Sequence, residues 1–118
     1  MVFKLSKEQQ KKHLLFICAS GTDRSPCAVS FFESSDKYEA KSCGVSSPIT
    51  EFPITDEAVK WADLFIVMDE RNKQDFTAKY PEIDNKKVIL LDISSDFKRY
   101  DNEMMKLMKT KLKQECLL

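Results

Sequence analysis

The chain has 118 residues, a length that suits one domain with a real core and no need for disulfide staples. Hydrophobic residues make up 42% and charged residues 32% of the sequence, as in an ordinary globular protein. The formal net charge is zero. This argues against a nucleic acid or an acidic membrane surface as partner, because both favour a clearly basic face.

Targeting and metal-binding patterns are not found. No stretch approaches the roughly 20 apolar residues of a membrane-spanning helix, and residues 1–12 are too polar for a signal peptide. We therefore expect a cytoplasmic protein whose four cysteines stay reduced. With one histidine and no C-x-x-C pair, neither a metal site nor another cofactor is expected.

Strand and helix patterns alternate along residues 13–118, which we expect to form a single domain behind a polar lead-in of residues 1–12. The predicted strands cover residues 13–18, 38–43, 63–69 and 87–93. The predicted helices alternate with them and cover residues 25–34, 55–62 and 101–114, with a further helix that begins at residue 70 and ends at Pro81. Strands that are apolar on both faces and alternate with helices predict an α/β fold, with a parallel sheet covered on both sides.

Ligands of such sheets bind beyond the carboxyl ends of the strands. Cys18, Asp69 and Asp92 are predicted to lie at such ends. This placement is the first indication that the segment C-A-S-G-T-D-R-S, residues 18–25, forms a site.

The loop after the first strand has the composition of an anion-binding turn. Its small residues allow successive backbone N–H groups to point inward: Ala19, Ser20, Gly21 and Thr22. The following helix would direct its positive N-terminal end to the same place, and the guanidinium of Arg24 matches two phosphate oxygens. Together these features predict a binding site for a tetrahedral dianion.

Cys18 lies at the base of this loop. The same positive field favours a thiolate, and a thiolate beneath a bound phosphate is placed for in-line attack on phosphorus. The product would be a covalent phosphocysteine. Ser25 could donate a hydrogen bond to the sulfur and ease its departure in the second step.

The sequence resembles the low-molecular-weight protein tyrosine phosphatases. The resemblance rests first on their C-x5-R-S motif followed by proline, here Cys18, Arg24, Ser25 and Pro26. It extends to KSCGV (41–45), which places Ser42 at the family's serine, and to WADLFIVMD (61–69). LLDISSDFKRYDNEMM (90–105) resembles the I-P-D-x-Y-x-x-M-D-P-E-L segment found in a short bacterial branch of predicted tyrosine phosphatases. The resemblance implies a three-layer α/β/α fold with a four-stranded parallel sheet, and substrate contacts from the loop residues through Ser25 and from Ser42.

Two loop residues depart from the family. Gly21 stands where family members usually carry an asparagine in the left-handed conformation. Glycine reaches that conformation without steric cost but lacks the side-chain amide, so Ser20, Ser25 and Ser42 must hold the loop differently. Asp23 replaces an apolar residue or cysteine. It would oppose phosphate if it faced inward, whereas an outward side chain would pair with a lysine.

The general acid is also displaced. In the family an aspartate two residues before a tyrosine protonates the leaving oxygen, which contributes about 10² to 10⁴ in rate. The corresponding segment here is Ser95-Asp96-Phe97, with serine at the acid's place. Asp96 is the preferred substitute and Asp92 the alternative. Phe97 and Tyr100 could form an aromatic wall beside a phosphotyrosine ring, although core packing is equally expected for Phe97.

The sequence thus predicts a cysteine-dependent phosphomonoester hydrolase without metal. The expected partners are a phosphotyrosine-containing protein or a small aryl phosphate, with inorganic phosphate as product and inhibitor. A phosphate-binding pseudophosphatase with a degenerate acid is the first alternative. An arsenate reductase is the second, with Cys27, Cys43 and Cys116 as candidate resolving thiols.

Overall fold

The structure is a computed structural model that describes residues 11–20, 24–45 and 52–118. The described residues form four strands, four α-helices and one 3₁₀ turn, Asn85–Lys87. The strands are β1 (Lys12–Cys18), β2 (Tyr38–Gly44), β3 (Leu64–Val67) and β4 (Val88–Leu90). The helices are α1 (Arg24–Ser30), α2 (Asp56–Trp61), α3 (Glu70–Lys79) and α4 (Asn102–Gln114).

The strands form one parallel sheet in the order β2-β1-β3-β4. The chain moves outward from β1 to β2, then crosses back to β3 and β4. The direction of winding therefore reverses between β1 and β3, which is where open parallel sheets bind ligands. Cys18 ends β1 opposite Gly44, and Ile17 pairs with Val67 of β3. The predicted α/β fold with a four-stranded parallel sheet is confirmed.

Each face of the sheet has its own core, as the continuous apolar runs predicted. On one face α1 and α4 pack on a cluster that includes Phe16 and Cys18. Met104, Met108 and Leu112 of α4 are fully buried there, so the methionines are core residues. On the other face α2 and α3 pack on a cluster that includes Leu15 and Phe76.

The helix predicted over 25–34 is shorter than expected, because α1 ends at Ser30. The Ser30 hydroxyl donates to the Cys27 carbonyl at 2.5 Å, so the side chain competes for the backbone where the helix ends. Phe31 and Phe32 continue in tighter turns bonded to Ala28 and Val29. Phe32 then packs against Phe16 with ring centroids 5.7 Å apart.

The strand predicted over 87–93 is reduced to Val88–Leu90. At its start Asp84 caps the 3₁₀ turn by accepting from Lys86 N–H. At its end Asp92 adopts a left-handed φ of 61°, which ends the extended backbone. The other boundaries agree to within two residues, although β1 already begins at Lys12. Thr55 caps α2 as predicted, since its hydroxyl accepts from Ala58 N–H.

Candidate active site

Cys18 lies at the carboxyl end of β1 and is 1% exposed. Its carbonyl accepts from Val45 N–H at 3.0 Å, and Met68 N–H donates to the preceding carbonyl of Ile17. Hydrogen bonds from both neighbouring strands therefore fix the backbone on which the loop begins. Of that loop, Gly21, Thr22 and Asp23 lie outside the described residues, so the interpretations of these three residues remain predictions.

Gly44 allows the loop to approach the sheet. A Cβ at this position would overlap the backbone carbonyl group of Ser20 and lie 2.9 Å from the carbonyl oxygen of Ala19. Only glycine permits two backbones to come this close. The sequence singled out Ser42 in this segment, but Ser42 is level with Phe16 and lines a cavity of about 440 Å³ on the edge of the sheet beside Trp61.

Arg24 is 3% exposed although it begins α1. Its Nη1 atom donates to Asp69 Oδ2 and to the carbonyl oxygen of Ile93, both at 2.7 Å. These partners follow β3 and β4, so one guanidinium joins the ends of two strands. Both hydrogens of Nη1 are used in this way, and the opposite edge, Nη2 and Nε, is the one suited to bidentate recognition of an anion.

Asp69 organises this part of the site. Burial favours raising the pKa of its carboxyl group, but hydrogen bonds from the backbone of Asn72 and from Arg24 outweigh burial and lower the pKa below the ordinary value of 3.8. The ionised carboxylate is therefore the form that pairs with Arg24. Asp69 also caps α3, since Oδ1 accepts from Asn72 N–H at 2.8 Å.

Asn72 is a site residue that sequence reasoning missed. It is 1% exposed. When its side-chain amide is assigned from the surrounding donors and acceptors, the nitrogen donates to Asp69 Oδ1 at 3.1 Å and the oxygen accepts from Ala19 N–H at 3.3 Å. Asn72 thus ties the start of the loop to the carboxylate that holds Arg24. The available signal was an asparagine in the first helical turn after Asp69, although many surface helices share that pattern.

Ser25 is fully buried, and its hydroxyl has no hydrogen-bonding partner among the described residues. The predicted hydrogen bond from Ser25 to the Cys18 sulfur is therefore not formed in this conformation. A buried hydroxyl without a partner costs about 1–3 kcal/mol. Ser25 therefore offers a donor that an anionic group in the site could use.

The two candidate acids differ in their surroundings. Asp92 is directed to α4, where Lys111 Nζ lies 3.7 Å from its Oδ2 atom and donates to its carbonyl oxygen at 2.8 Å. Asp96 is exposed, and its N–H donates to Ser94 Oγ at 3.1 Å in a local turn. Asp92 is thus engaged by another element, which favours Asp96 of the pair.

The aromatic residues of this segment have different neighbours. Phe97 is half-buried and packs against the core cluster that contains Cys18, as the core-packing interpretation expected. Tyr100 is 51% exposed, and the Arg99 guanidinium lies 5.4 Å from its ring centroid. A role for either ring in binding substrate remains a prediction.

Cys43 is buried in the core cluster on the opposite face of the sheet from the cluster that contains Cys18. Burial, and next the charge of Cys18, raise the pKa of its thiol to about 12. Cys43 therefore stays a neutral thiol at physiological pH. All four cysteines lie within the described residues, and none of them forms a disulfide.

The described residues contain neither a membrane-spanning helix nor a metal-binding cluster. Within residues 11–20, 24–45 and 52–118, no helix combines the length and apolar character needed to cross a bilayer. The same residues contain no cluster of three or more His, Cys, Asp or Glu side chains that could hold a metal ion.

No protein-family model and no curated protein matches the sequence. Solved structures do match. The low molecular weight protein tyrosine phosphatase SP-PTP of Streptococcus pyogenes superposes with a TM-score of 0.72 at 18% identity, over 88% of this chain and 90% of that chain. The tyrosine phosphatase Wzb of Escherichia coli K30, solved in complex with phosphate, superposes with a TM-score of 0.72 at 17% identity, over 89% of this chain and 96% of that chain.

A third match is the YwlE arginine phosphatase, solved as a cysteine-to-serine mutant with a phosphorylated active site serine. Its TM-score is 0.63 at 20% identity, over 86% of this chain and 94% of that chain. These likenesses show that the described residues have the fold of the low-molecular-weight protein tyrosine phosphatases, as the sequence motifs predicted.

Proposed function

We propose that this chain, which has the fold of the low-molecular-weight protein tyrosine phosphatases, is a phosphatase that uses Cys18 as its nucleophile. The observation that carries the proposal is the placement of Cys18 and Arg24 at the reversal point of the sheet, with the guanidinium fixed at 2.7 Å by Asp69 and Ile93. Ligands of open parallel sheets bind at this point.

The reaction has two displacement steps. The Cys18 thiolate attacks phosphorus, so that the S–P bond forms, the bond from phosphorus to the leaving oxygen breaks and the acid gives its proton to that oxygen. A water molecule then attacks phosphorus and gives one proton to the carboxylate of the acid, which restores it. The S–P bond breaks, the thiolate is restored and inorganic phosphate leaves. The phosphorylated serine in the YwlE mutant supports an intermediate of this kind.

The surrounding residues supply binding and orientation. Arg24 presents its remaining edge to two phosphate oxygens, because Asp69 and Ile93 fix the plane of the guanidinium. Asn72 restrains the loop through Ala19 N–H. The Ser25 hydroxyl is buried and has no partner among the described residues, so it is the donor proposed to turn to the sulfur when the thiolate leaves phosphorus.

Asp96 acts as the general acid in this proposal. It lies one residue after Ser95, in the segment that follows the Arg24 contact at Ile93, and its carboxylate faces solvent. The substrate class is an aryl phosphate such as phosphotyrosine, as for the tyrosine phosphatases SP-PTP and Wzb. The YwlE match makes phosphoarginine the second substrate to be tested.

The arsenate reductase alternative requires a resolving thiol that attacks readily. The pKa of Cys43 is raised to about 12 by burial and by Cys18, so Cys43 carries little thiolate at neutral pH. Cys27 is fully buried in the core cluster that contains Cys18, and its sulfur accepts a hydrogen bond from Tyr100 N–H. Both observations favour the phosphatase over the reductase.

The proposal is tested by hydrolysis of p-nitrophenyl phosphate, phosphotyrosine and phosphoarginine by the parent, Cys18→Ser and Cys43→Ser. We expect Cys18→Ser to lose turnover while vanadate still binds, since Arg24 and the loop amides remain. Cys43→Ser should keep turnover, because Cys43 belongs to the opposite core. Turnover by Cys18→Ser within tenfold of the parent would overturn the mechanism, and vanadate binding without turnover by the parent would identify a pseudophosphatase.

A further inference from the structure

The segment between β4 and α4 is held to α1 at both of its ends. We name residues 94–100 the 94–100 loop; it contains Ser95 and Asp96. Immediately before it, the Ile93 carbonyl accepts from Arg24 Nη1 at 2.7 Å. At its last residue, Tyr100 N–H donates to Cys27 Sγ at 3.3 Å. Because Arg24 and Cys27 are three residues apart in one helix, they lie on the same side of α1.

Cys27 is fully buried and belongs to the core cluster that contains Cys18. A core position of this kind is ordinarily filled by an apolar side chain that offers the backbone no acceptor. The cysteine sulfur is a weak acceptor, and here it receives the amide hydrogen of a residue 73 positions away. This hydrogen bond therefore links a buried core residue directly to the backbone of the 94–100 loop.

The backbone that Cys27 holds has an unusual conformation. Tyr100 has a φ of 58°, which a bulky residue keeps only where the surrounding contacts determine it. Directly after it, Asp101 caps α4, since its Oδ1 atom accepts from Glu103 N–H and Met104 N–H. The hydrogen bond to Cys27 thus lies where the 94–100 loop joins a rigid helix.

We propose that Cys27 is a positioning residue for proton transfer. Its sulfur, through Tyr100 N–H, fixes the end of the 94–100 loop and so places the Asp96 carboxylate over the leaving oxygen. Arg24 fixes the start of the loop and also binds phosphate. In this proposal α1 therefore positions both the phosphate site and the general acid. This inference rests on the proposed function.

The first test measures amide hydrogen exchange by NMR in matched Cys27 variants. Cys27→Ser keeps an acceptor and Cys27→Ala removes it. We expect exchange at Tyr100 and through the 94–100 loop to rise about threefold to fivefold in Cys27→Ala, because sulfur is a weak acceptor and the bond is worth no more than an ordinary hydrogen bond, and to rise clearly less in Cys27→Ser. If Cys27→Ala does not fold, Cys27→Val fills the space without an acceptor and replaces it.

Cys43→Ala is the control, because it truncates a buried cysteine in the opposite core. It should leave exchange in the 94–100 loop unchanged. Equal loosening of the loop by Cys43→Ala, or parent-like exchange in a folded Cys27→Ala or Cys27→Val protein, would overturn the inference.

The second test compares turnover of phenyl phosphate, whose leaving oxygen needs a proton, with turnover of p-nitrophenyl phosphate, which hardly needs one. In Cys27→Ala we expect kcat for phenyl phosphate to fall about tenfold further than kcat for p-nitrophenyl phosphate, with the inhibition constant of inorganic phosphate unchanged. An unchanged ratio would overturn the positioning role. A parent without Cys18-dependent turnover would contradict the proposed function, while the exchange measurement would still decide whether Cys27 holds the loop.

Discussion

Arg24 and Asp69 form a partly buried ion pair, in which the Asp69 side chain is 27% exposed, and its main effect is to orient the guanidinium. Arg24 is 3% exposed and lies 2.7 Å from Asp69. Much of the attraction in such a pair is offset by the loss of hydration of both ions. The main contribution of the pair is therefore orientation. Because Asp69 and the Ile93 carbonyl both accept from Nη1, the plane of the guanidinium is fixed before any ligand binds.

Arg24→Lys is therefore expected to reduce phosphate affinity by tenfold or more. An ammonium group is a compact charge, and it cannot serve Asp69 and the Ile93 carbonyl while also presenting a second edge to phosphate. Isothermal titration with inorganic phosphate measures the change, with thermal unfolding as a check on folding. Affinity equal to that of the parent would mean that Arg24 is only a structural link between β3 and β4.

Because the pKa of Asp69 is lowered in the folded protein, we expect the free energy of unfolding to depend on pH. Burial favours a higher pKa, but hydrogen bonds from Asn72 and Arg24 prevail and depress it. A depressed pKa in the folded protein means that the ionised form stabilises the fold above the unfolded pKa, and that this contribution is lost as pH falls through the folded pKa. The parent should therefore lose its stability advantage over Asp69→Asn as the pH falls below about 4.

Urea unfolding of both proteins from pH 6 to pH 2.5 measures this difference. Asp92→Asn is the control for removing a surface carboxylate, since the Asp92 side chain is 79% exposed. Parallel stability curves for the parent and Asp69→Asn across this range would contradict the assignment of Asp69 as the ionised partner of Arg24.

At the scale of elements, the junction between β2 and the loop that follows β1 depends on Gly44. Gly44→Ala would drive a methyl group into the Ser20 carbonyl and to 2.9 Å from the Ala19 carbonyl oxygen. Backbone atoms cannot rotate away as a flexible side chain can. We expect the variant to lower the unfolding temperature and to weaken phosphate binding tenfold or more. Ala40→Gly, a change of the same size earlier in β2, should leave phosphate binding unchanged, and equal effects of both variants would contradict the close approach.

The loop after β4 carries the prediction about the acid. Asp96→Asn is expected to slow phosphotyrosine hydrolysis by about 10² or more and to spare p-nitrophenyl phosphate. Asp92→Asn should have the smaller effect on that ratio, because Asp92 is paired with Lys111 of α4. Kinetics of the two variants on both substrates measure the difference. If neither variant alters the ratio, and the parent hydrolyses only activated esters, Ser95 marks a lost acid.

Elements with strong local signals could be predicted from the sequence, and their ends were less certain. The strands appeared as apolar runs because both faces of the sheet are covered, and Thr55 was recognisable as a helix cap. The end of β4 was not recognisable, since it depends on Asp92 taking a left-handed φ that aspartate adopts only occasionally.

At the scale of the whole molecule, the site combines one local motif with contacts that no spacing reveals. Cys18 and Arg24 could be predicted as site residues because they share a loop between a strand and a helix. The carboxylate partner of Arg24, Asp69, is 45 residues away, and Asn72 lies close to Ala19 from a different helix. These contacts follow from the order of the strands, which places the ends of β1, β3 and β4 side by side.

The central claim is that the Cys18 sulfur carries the phosphoryl group during turnover. Mass spectrometry of the parent, quenched in acid during hydrolysis of p-nitrophenyl phosphate, tests it most directly. We predict one phosphoryl group on the peptide that contains Cys18, and none on the peptides that contain Cys43 or Cys116. Steady turnover with no phosphoryl group on the Cys18 peptide, and with parent-like rates in Cys18→Ser, would contradict the claim.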